Sequence, residues 1–306
     1  MNVLIIGFGS IAKKHLDALR SLNIDIKIWA LRSNKKSKAT EGIISIYNYN
    51  EIPLNIDFAI ISNPTNKHIS TIKKLIPLNI PLFIEKPITH SLINLDDTLS
   101  LIKDNNVTTY VACVLRFHPC LQYVKERMSL NTLRINEVNV YCGSYLPDWR
   151  VNTNYKNNYS AKVSEGGGVH LDLFHEIDYT LWLFGFPLNS SKTLESKSSI
   201  DINSYDSANY IFKYEEFNVN MVLNYFRKTP KRKIEIVFSD KIWEIDLIKG
   251  TVIENEEIEL FNSELSIIDL YKIQLSYFID CINQQKDAEN NFEASSKILK
   301  YCLQDE

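Results

Sequence analysis

The chain has 306 residues, of which 45% are apolar and 23% charged, with a formal net charge of −3. The composition is that of an ordinary folded globular protein, the length suggests two domains, and the charge gives no reason to expect nucleic acid or an anionic membrane as partner. No apolar run approaches the roughly 18 residues of a spanning helix, and the five cysteines lack CxxC spacing, so a cytoplasmic protein with neither a zinc cluster nor a disulfide framework is expected.

Residues 3–6, Val-Leu-Ile-Ile, read as a parallel strand buried on both faces. They open into Gly7-Phe8-Gly9-Ser10-Ile11-Ala12, followed by a helical pattern through Leu16, Leu19 and Leu22. This is a dinucleotide fingerprint with alanine in its third small position; the alternative is merely a tight strand-to-helix turn. Gly7 makes the turn, Gly9 lets a pyrophosphate approach the backbone of Ser10 and Ile11, and Ala12 lets helix and strand pack closely. A second strand over 24–31 ends in Arg32-Ser33-Asn34-Lys35-Lys36. An acidic residue there holds the ribose hydroxyls of NAD. Arg32 and Ser33 in its place predict a preference for NADP(H), with NAD as the alternative.

Residues 57–62 form another buried strand, and Asn63-Pro64-Thr65-Asn66-Lys67-His68 turn at its C-terminal end, the edge where open parallel sheets take ligands. Asn63, Pro64, Thr65 and His68 are therefore candidate cofactor contacts, although His68 also fits a capping or packing role. The strand at 81–84 ends in Glu85-Lys86-Pro87, and X–Pro bonds can be cis. Glu85 and Lys86 join the candidate cofactor set. The last strand of this half, 110–115, gives way to Arg116-Phe117-His118-Pro119, where a domain boundary is expected.

The second half holds Ser164-Glu165-Gly166-Gly167-Gly168-Val169-His170-Leu171-Asp172-Leu173-Phe174-His175-Glu176-Ile177-Asp178, with three of the chain's nine glycines. On one helix, Asp172 and His175 would share a face, and histidine suits proton transfer near neutrality. The glycines are expected to let substrate approach the backbone at Gly168. Upstream, Trp149, Tyr155 and Tyr159 offer faces for a sugar ring, or else pack the loop; Arg150, Arg116 and Lys162 offer cations for a carboxylate or phosphate. Segments 135–145, 208–214, 217–226, 233–239 and 241–248 are rich in β-branched and aromatic residues and read as one antiparallel sheet. Residues 188–207 read as a polar exposed excursion, 48–55 as a loop, and 267–283 and 293–303 as closing helices. The basic run 228–233 reads as a solvated face.

The ordered set GxGxxA, SNPTNKH, EKP, Arg116-Phe117-His118-Pro119 and GGGxxxDxxHExD resembles the Gfo/Idh/MocA oxidoreductases, named after glucose-fructose oxidoreductase and inositol dehydrogenase. The resemblance implies an α/β protein: an N-terminal Rossmann dinucleotide-binding domain, 1–116, and a C-terminal α+β domain, 117–306, whose large, mainly antiparallel sheet supports a homodimer or homotetramer. It implies hydride transfer between a nicotinamide and a sugar, polyol or nucleotide-linked sugar, with Lys86, Asp172 and His175 as the catalytic set. Many members space the equivalents of Asp172 and His175 by four positions rather than three. The loop 143–150 with Tyr155 and Tyr159 resembles a subgroup associated with surface-sugar biosynthesis. Rival expectations are a nucleotide-sensing regulator without turnover, and a cofactor-recycling dehydratase or glycosidase.

Overall fold

Short apolar strands joined by crossover helices build the N-terminal sheet. The computed structural model describes residues 1–306 except 23, 36–37, 131–132, 151–152 and 305–306, so Lys36 lies outside the described residues. In chain order the elements are β1 (Asn2–Ile6), α1 (Ser10–Arg20), β2 (Lys27–Leu31), β3 (Ile43–Ile46), β4 (Phe58–Ile61), α2 (His68–Leu75), β5 (Leu82–Ile84), α3 (Leu95–Asp104) and β6 (Thr109–Val111). The six strands are all parallel, in the order β3-β2-β1-β4-β5-β6. That order is the doubly wound Rossmann arrangement, whose ligand edge is the C-terminal end of the strands. Val3, Leu4, Ile5 and all of β4 are excluded from solvent, which is why these segments carry no polar alternation. The edge strand β3, Ile-Ile-Ser-Ile, is apolar and β-branched but only four residues long and mostly not buried, and it was not anticipated.

Beyond this sheet come α4 (Pro119–Ser129), β7 (Ile135–Tyr145), α5 (Val169–Asp172), α6 (Phe174–Phe184), β8 (Asn189–Glu195), β9 (Ser207–Lys213), β10 (Asn218–Asn224), β11 (Phe226–Phe238), β12 (Ile242–Asp246), β13 (Thr251–Glu254) and β14 (Ile258–Asn262). They form an eight-stranded sheet ordered β14-β13-β12-β11-β7-β10-β9-β8, in which β10 pairs parallel with β7 and the other pairs are antiparallel. Alternation sets the buried face: Val138, Val140 and Cys142 on β7, Tyr210 and Phe212 on β9, Met221 and Leu223 on β10, Ile234 and Ile236 on β11. Two expectations change. Residues 189–195 are the edge strand β8, not an excursion, paired along β9 from Asn189↔Lys213 to Glu195↔Ser207. β11 starts at Phe226, seven residues before the segment expected from sequence.

The chain closes with α7 (Ile267–Asn283) and α8 (Phe292–Leu303). The two compact units are Met1–Val114 with Ser266–Lys300, and Leu115–Leu265 with Tyr301–Glu306. The contiguous division at 116/117 therefore differs from the packing in its final segment. α7 lays a buried stripe, Leu270, Leu275 and Phe278, on the first unit, where the Phe278 ring meets Phe58 and Phe83 edge-on at 5.5 Å each. An apolar helix face covering a distant sheet leaves no mark in local sequence order.

Candidate active site

In the first unit the glycine turn works as its spacing implies. Gly7 adopts φ +82°, and a Cβ there would lie 2.7 Å from the Asn63 Cα, so only glycine lets β1 pass the β4 turn. Gly9 opens α1 with no side-chain cap, and beyond its own neighbours none of the described residues lies within 4 Å of where its Cβ would stand. The first-turn N–H groups of Ser10, Ile11 and Ala12 thus head an uncapped eleven-residue helix, beside the room that a pyrophosphate needs. Ser62 ties the turn from below, its hydroxyl donating to the Ile6 and Gly7 carbonyls.

Arg32 differs from the expectation of a free fork awaiting a phosphate. It is buried, and its terminal nitrogens donate to the Lys38 carbonyl at 2.6 Å and to Thr40 Oγ1 at 2.8 Å. Its guanidinium lies 4.4 Å from the centre of the Phe8 ring, inside the glycine turn. Ser33 beside it is exposed.

Lys86 follows β5, and the Lys86–Pro87 bond is cis. Glu85, immediately before it, turns inward: its carboxylate meets His15 Nε2 of α1 at 2.6 Å, and its other oxygen accepts from the Lys86 N–H at 3.1 Å. His15 is fully buried, edge-on to the Phe83 and Tyr271 rings. A histidine inside an ordinary helical stretch carries no signal, and sequence reasoning missed it. Glu85 is accordingly an anchor for the Lys86 turn through α1 rather than an open cofactor contact. His68 is also buried, its nitrogens 2.8 Å from the Asn63 carbonyl and 3.1 Å from the Pro87 carbonyl. It clamps the two turns together, and burial lowers its pKa. Asn63 likewise braces its own turn, donating to Thr71 Oγ1, while Pro64 and Thr65 lead into α2.

In the second unit Asp172 and His175 do not share one helix. α5 ends at Asp172, Leu173 leaves helical geometry with ψ +32°, and His175 sits in the first turn of α6. Asp172 accepts two phenolic hydrogen bonds, from Tyr159 at 2.8 Å and Tyr225 at 2.5 Å. Both phenols stay protonated, their pKa values raised, for Tyr159 chiefly by the Asp172 charge and for Tyr225 chiefly by burial. They are fixed donors, holding the carboxylate and its orientation. Tyr225, between β10 and β11, escaped sequence analysis because a buried strand-end tyrosine looks like core. Trp149 stands edge-on to Tyr225 at 5.3 Å and donates to Ser144 Oγ at 2.8 Å. Arg150 lies over the Tyr159 ring at 5.7 Å, and Tyr155 is half-buried nearby in sequence.

Two residues, Arg116 and Gly168, have roles other than those expected. Arg116 is buried and gives a two-pronged hydrogen bond to Asp178, 2.9 Å from Nε and 2.7 Å from a terminal nitrogen, so its fork is spent inside the unit. The glycines make no room for substrate: a Cβ on Gly167 would lie 2.2 Å from the Tyr159 carbonyl oxygen, and one on Gly168 would lie 2.7 Å from the His170 ring. Gly168, at φ +134°, instead lets the chain enter α5 against the turns at 155–165. His170 packs edge-on to Tyr205, and burial, with Lys192 nearby, pushes its pKa down to about 4. Glu176 is fully buried, 2.7 Å from Arg232 on β11.

Residues 1–113 match the family model described as oxidoreductase family, NAD-binding Rossmann fold, of the Gfo/Idh/MocA group. This domain carries the chain's likeness to the Gfo/Idh/MocA oxidoreductases. The chain is similar to the inositol 2-dehydrogenase of Rhizobium meliloti, 24% identical over 237 residues that span 74% of this chain and 68% of that protein. The fold matches the UDP-N-acetylglucosamine 3-dehydrogenase of Acidithiobacillus ferrooxidans, with TM-score 0.78 at 16% identity, across 99% of this chain and 95% of that one. It also matches a levoglucosan dehydrogenase solved with NADH and levoglucosan, with TM-score 0.85 at 14% identity over the same shares of the two chains. The chain thus joins an N-terminal domain that matches the NAD-binding Rossmann model of these oxidoreductases to a second, mostly antiparallel sheet. The open space at Gly9 and the uncapped α1 fit a dinucleotide's pyrophosphate. No helix among the described residues is long and apolar enough to cross a membrane, and no cluster of metal-ligating side chains occurs among them.

Proposed function

We propose that this protein is an oxidoreductase that interconverts a carbinol and a ketone on a sugar, polyol or nucleotide-linked sugar, as its likeness to dehydrogenases of inositol, levoglucosan and a UDP-sugar favours. The observation that carries the reading is the carboxylate of Asp172, gripped by two protonated phenols three residues before the half-buried His175. A bound nicotinamide supplies or accepts the hydride. Gly9, Ser10, Ile11 and Ala12 hold its pyrophosphate. His175 takes the substrate hydroxyl proton in oxidation and returns it in reduction, Asp172 favours the orientation and charge this requires, and Lys86 donates to the reacting oxygen as negative charge grows there. Trp149, Tyr155 and Tyr159 offer ring faces to a sugar, and Arg150 a cation to an acidic substituent.

The cofactor preference in this reading is for NADP(H). It rests on the absence of a carboxylate at positions 32–34 and on the exposed Ser33, with Arg32 lending positive potential from its place on Phe8. A kcat/KM clearly favouring NAD(H) would reject it. Self-association through the solvent-facing side of the eight-stranded sheet at its β9–β10 end, around Asn209, Ile211 and Asn220, completes the proposal; sedimentation at a single-chain mass across micromolar concentrations would exclude it. The roles of the two reacting side chains are tested by Lys86→Ala and His175→Ala. Each should lower kcat by about 10²-fold or more while leaving cofactor affinity within about twofold, and unchanged turnover in both would reject the assignment.

A further inference from the structure

The basic run at 228–233 is not a plain solvated face. β11 leaves its register with β7 between Phe226↔Tyr145 and Lys231↔Gly143, so that residues 227–230 stand opposite the single residue Ser144. This bulge, with Pro230 at its end, and the β12–β13 turn border an open pocket of about 350 Å³ lined by Arg227, Pro230, Lys231, Lys233, Asp246, Ile248 and Lys249. The volume falls at the low end of small-molecule sites, roughly 300–1,000 Å³.

Four cations and one carboxylate line the pocket, and the carboxylate is already committed. Asp246 is buried; one oxygen accepts from the backbone N–H groups of Ile248 and Lys249 at 3.0 Å each, and the other lies 3.6 Å from the Lys233 ammonium. Lys233 is further neutralised by Glu244 at 2.7 Å. Arg227, Lys231 and Lys249 are left with no carboxylate within 4 Å among the described residues. Arg227 and Lys231 instead rest against one aromatic ring, Tyr141, at 5.2 and 4.8 Å from its centre. The Arg227 Nε–H, which can only donate, is buried with no acceptor among the described residues. Holding three like charges around one open pocket costs free energy that a bound anion offsets.

We propose that this pocket is an anion site for a phosphate-bearing small molecule, separate from the glycine turn of the first unit. An arginine fork with two lysines suits a multiply charged oxyanion better than a single carboxylate. The assignment does not depend on the reaction proposed above.

The test is calorimetric titration of the full chain, saturated with NADPH so that the glycine turn is filled, with inorganic phosphate, pyrophosphate and uridine diphosphate. At low salt, pyrophosphate should bind one site per chain, weakening as ionic strength rises. The double variant Arg227→Gln/Lys231→Gln should bind it about tenfold more weakly or worse, while its NADPH affinity and thermal midpoint report an intact fold. Uridine diphosphate binding more tightly than pyrophosphate by about tenfold would identify an organic phosphate as the ligand; equal binding would identify the phosphate group itself. No binding to the wild type, or equal binding to the variant, would overturn the proposal. So would concentration-dependent sedimentation that the variant loses without any anion uptake by the wild type, which would assign the pocket to an acidic protein surface.

Discussion

Arg116→Met separates two roles for a residue whose sequence context points to substrate binding. In the structure its guanidinium is 9% exposed and faces an Asp178 carboxylate that is 1% exposed, through hydrogen bonds of 2.9 and 2.7 Å. Charge-assisted bonds contribute about 1.5–3 kcal/mol each. Removing one member of a buried ion pair costs about 3–5 kcal/mol, because the remaining charge keeps its desolvation penalty without a partner. Arg116→Met should therefore lower the unfolding free energy by about 3–5 kcal/mol, read from urea unfolding by tryptophan fluorescence. Arg116→Met/Asp178→Leu should recover most of that loss, since two apolar side chains leave no buried charge. A single variant as stable as wild type, with a raised KM for an anionic substrate, would refute the reasoning and restore the substrate-binding role.

Three further outcomes follow from the same geometry. Gly167→Ala pushes a Cβ against backbone oxygens of the 155–165 turns, 2.2 Å from the nearest, and should cost about 1–3 kcal/mol in the same unfolding assay, whereas Gly9→Ala should leave stability nearly unchanged and weaken cofactor binding. His170 titrates near 6.5 when unfolded and about 4 when folded, so the unfolded chain binds the extra proton first: its contribution, about 3 kcal/mol, is complete above pH 6.5 and is lost as pH falls toward 4. His170→Asn should accordingly show a shallower loss of stability between pH 7 and pH 4.5; parallel profiles would contradict the assignment. Tyr225→Phe should lower kcat more than it raises KM, and combining it with Tyr159→Phe should be non-additive, because both hydroxyls hold one carboxylate.

The N-terminal fold was legible because its code is local. Gly7, Gly9 and Ala12 follow the unbroken apolar run 3–6, and each buried strand ends in a turn of distinctive chemistry. The second sheet was legible where alternation is clean, as along Val219, Met221 and Leu223, and illegible where an edge strand such as Asn189–Glu195 pairs along β9 with no buried residue to mark it. The candidate site divides the same way. Lys86, Asp172 and His175 stand in motifs, but their supports do not: His15 reaches Glu85 across 70 residues, and Tyr225 reaches Asp172 across 53. The break at Leu173 carries neither proline nor glycine, so nothing local announces that α5 and α6 are separate helices. The expectation for Arg116 failed because its residue type fits a ligand and a buried partner equally well, and only packing chooses Asp178.

The central claim is best tested by the nicotinamide absorbance change when the NADP(H)-loaded protein meets a panel of sugars, polyols and nucleotide-linked sugars, run on wild type and His175→Ala. The account predicts turnover of at least one substrate by the wild type and a loss of about 10²-fold or more in the variant at unchanged cofactor affinity. Equal rates for the two proteins on a substrate that turns over would contradict it.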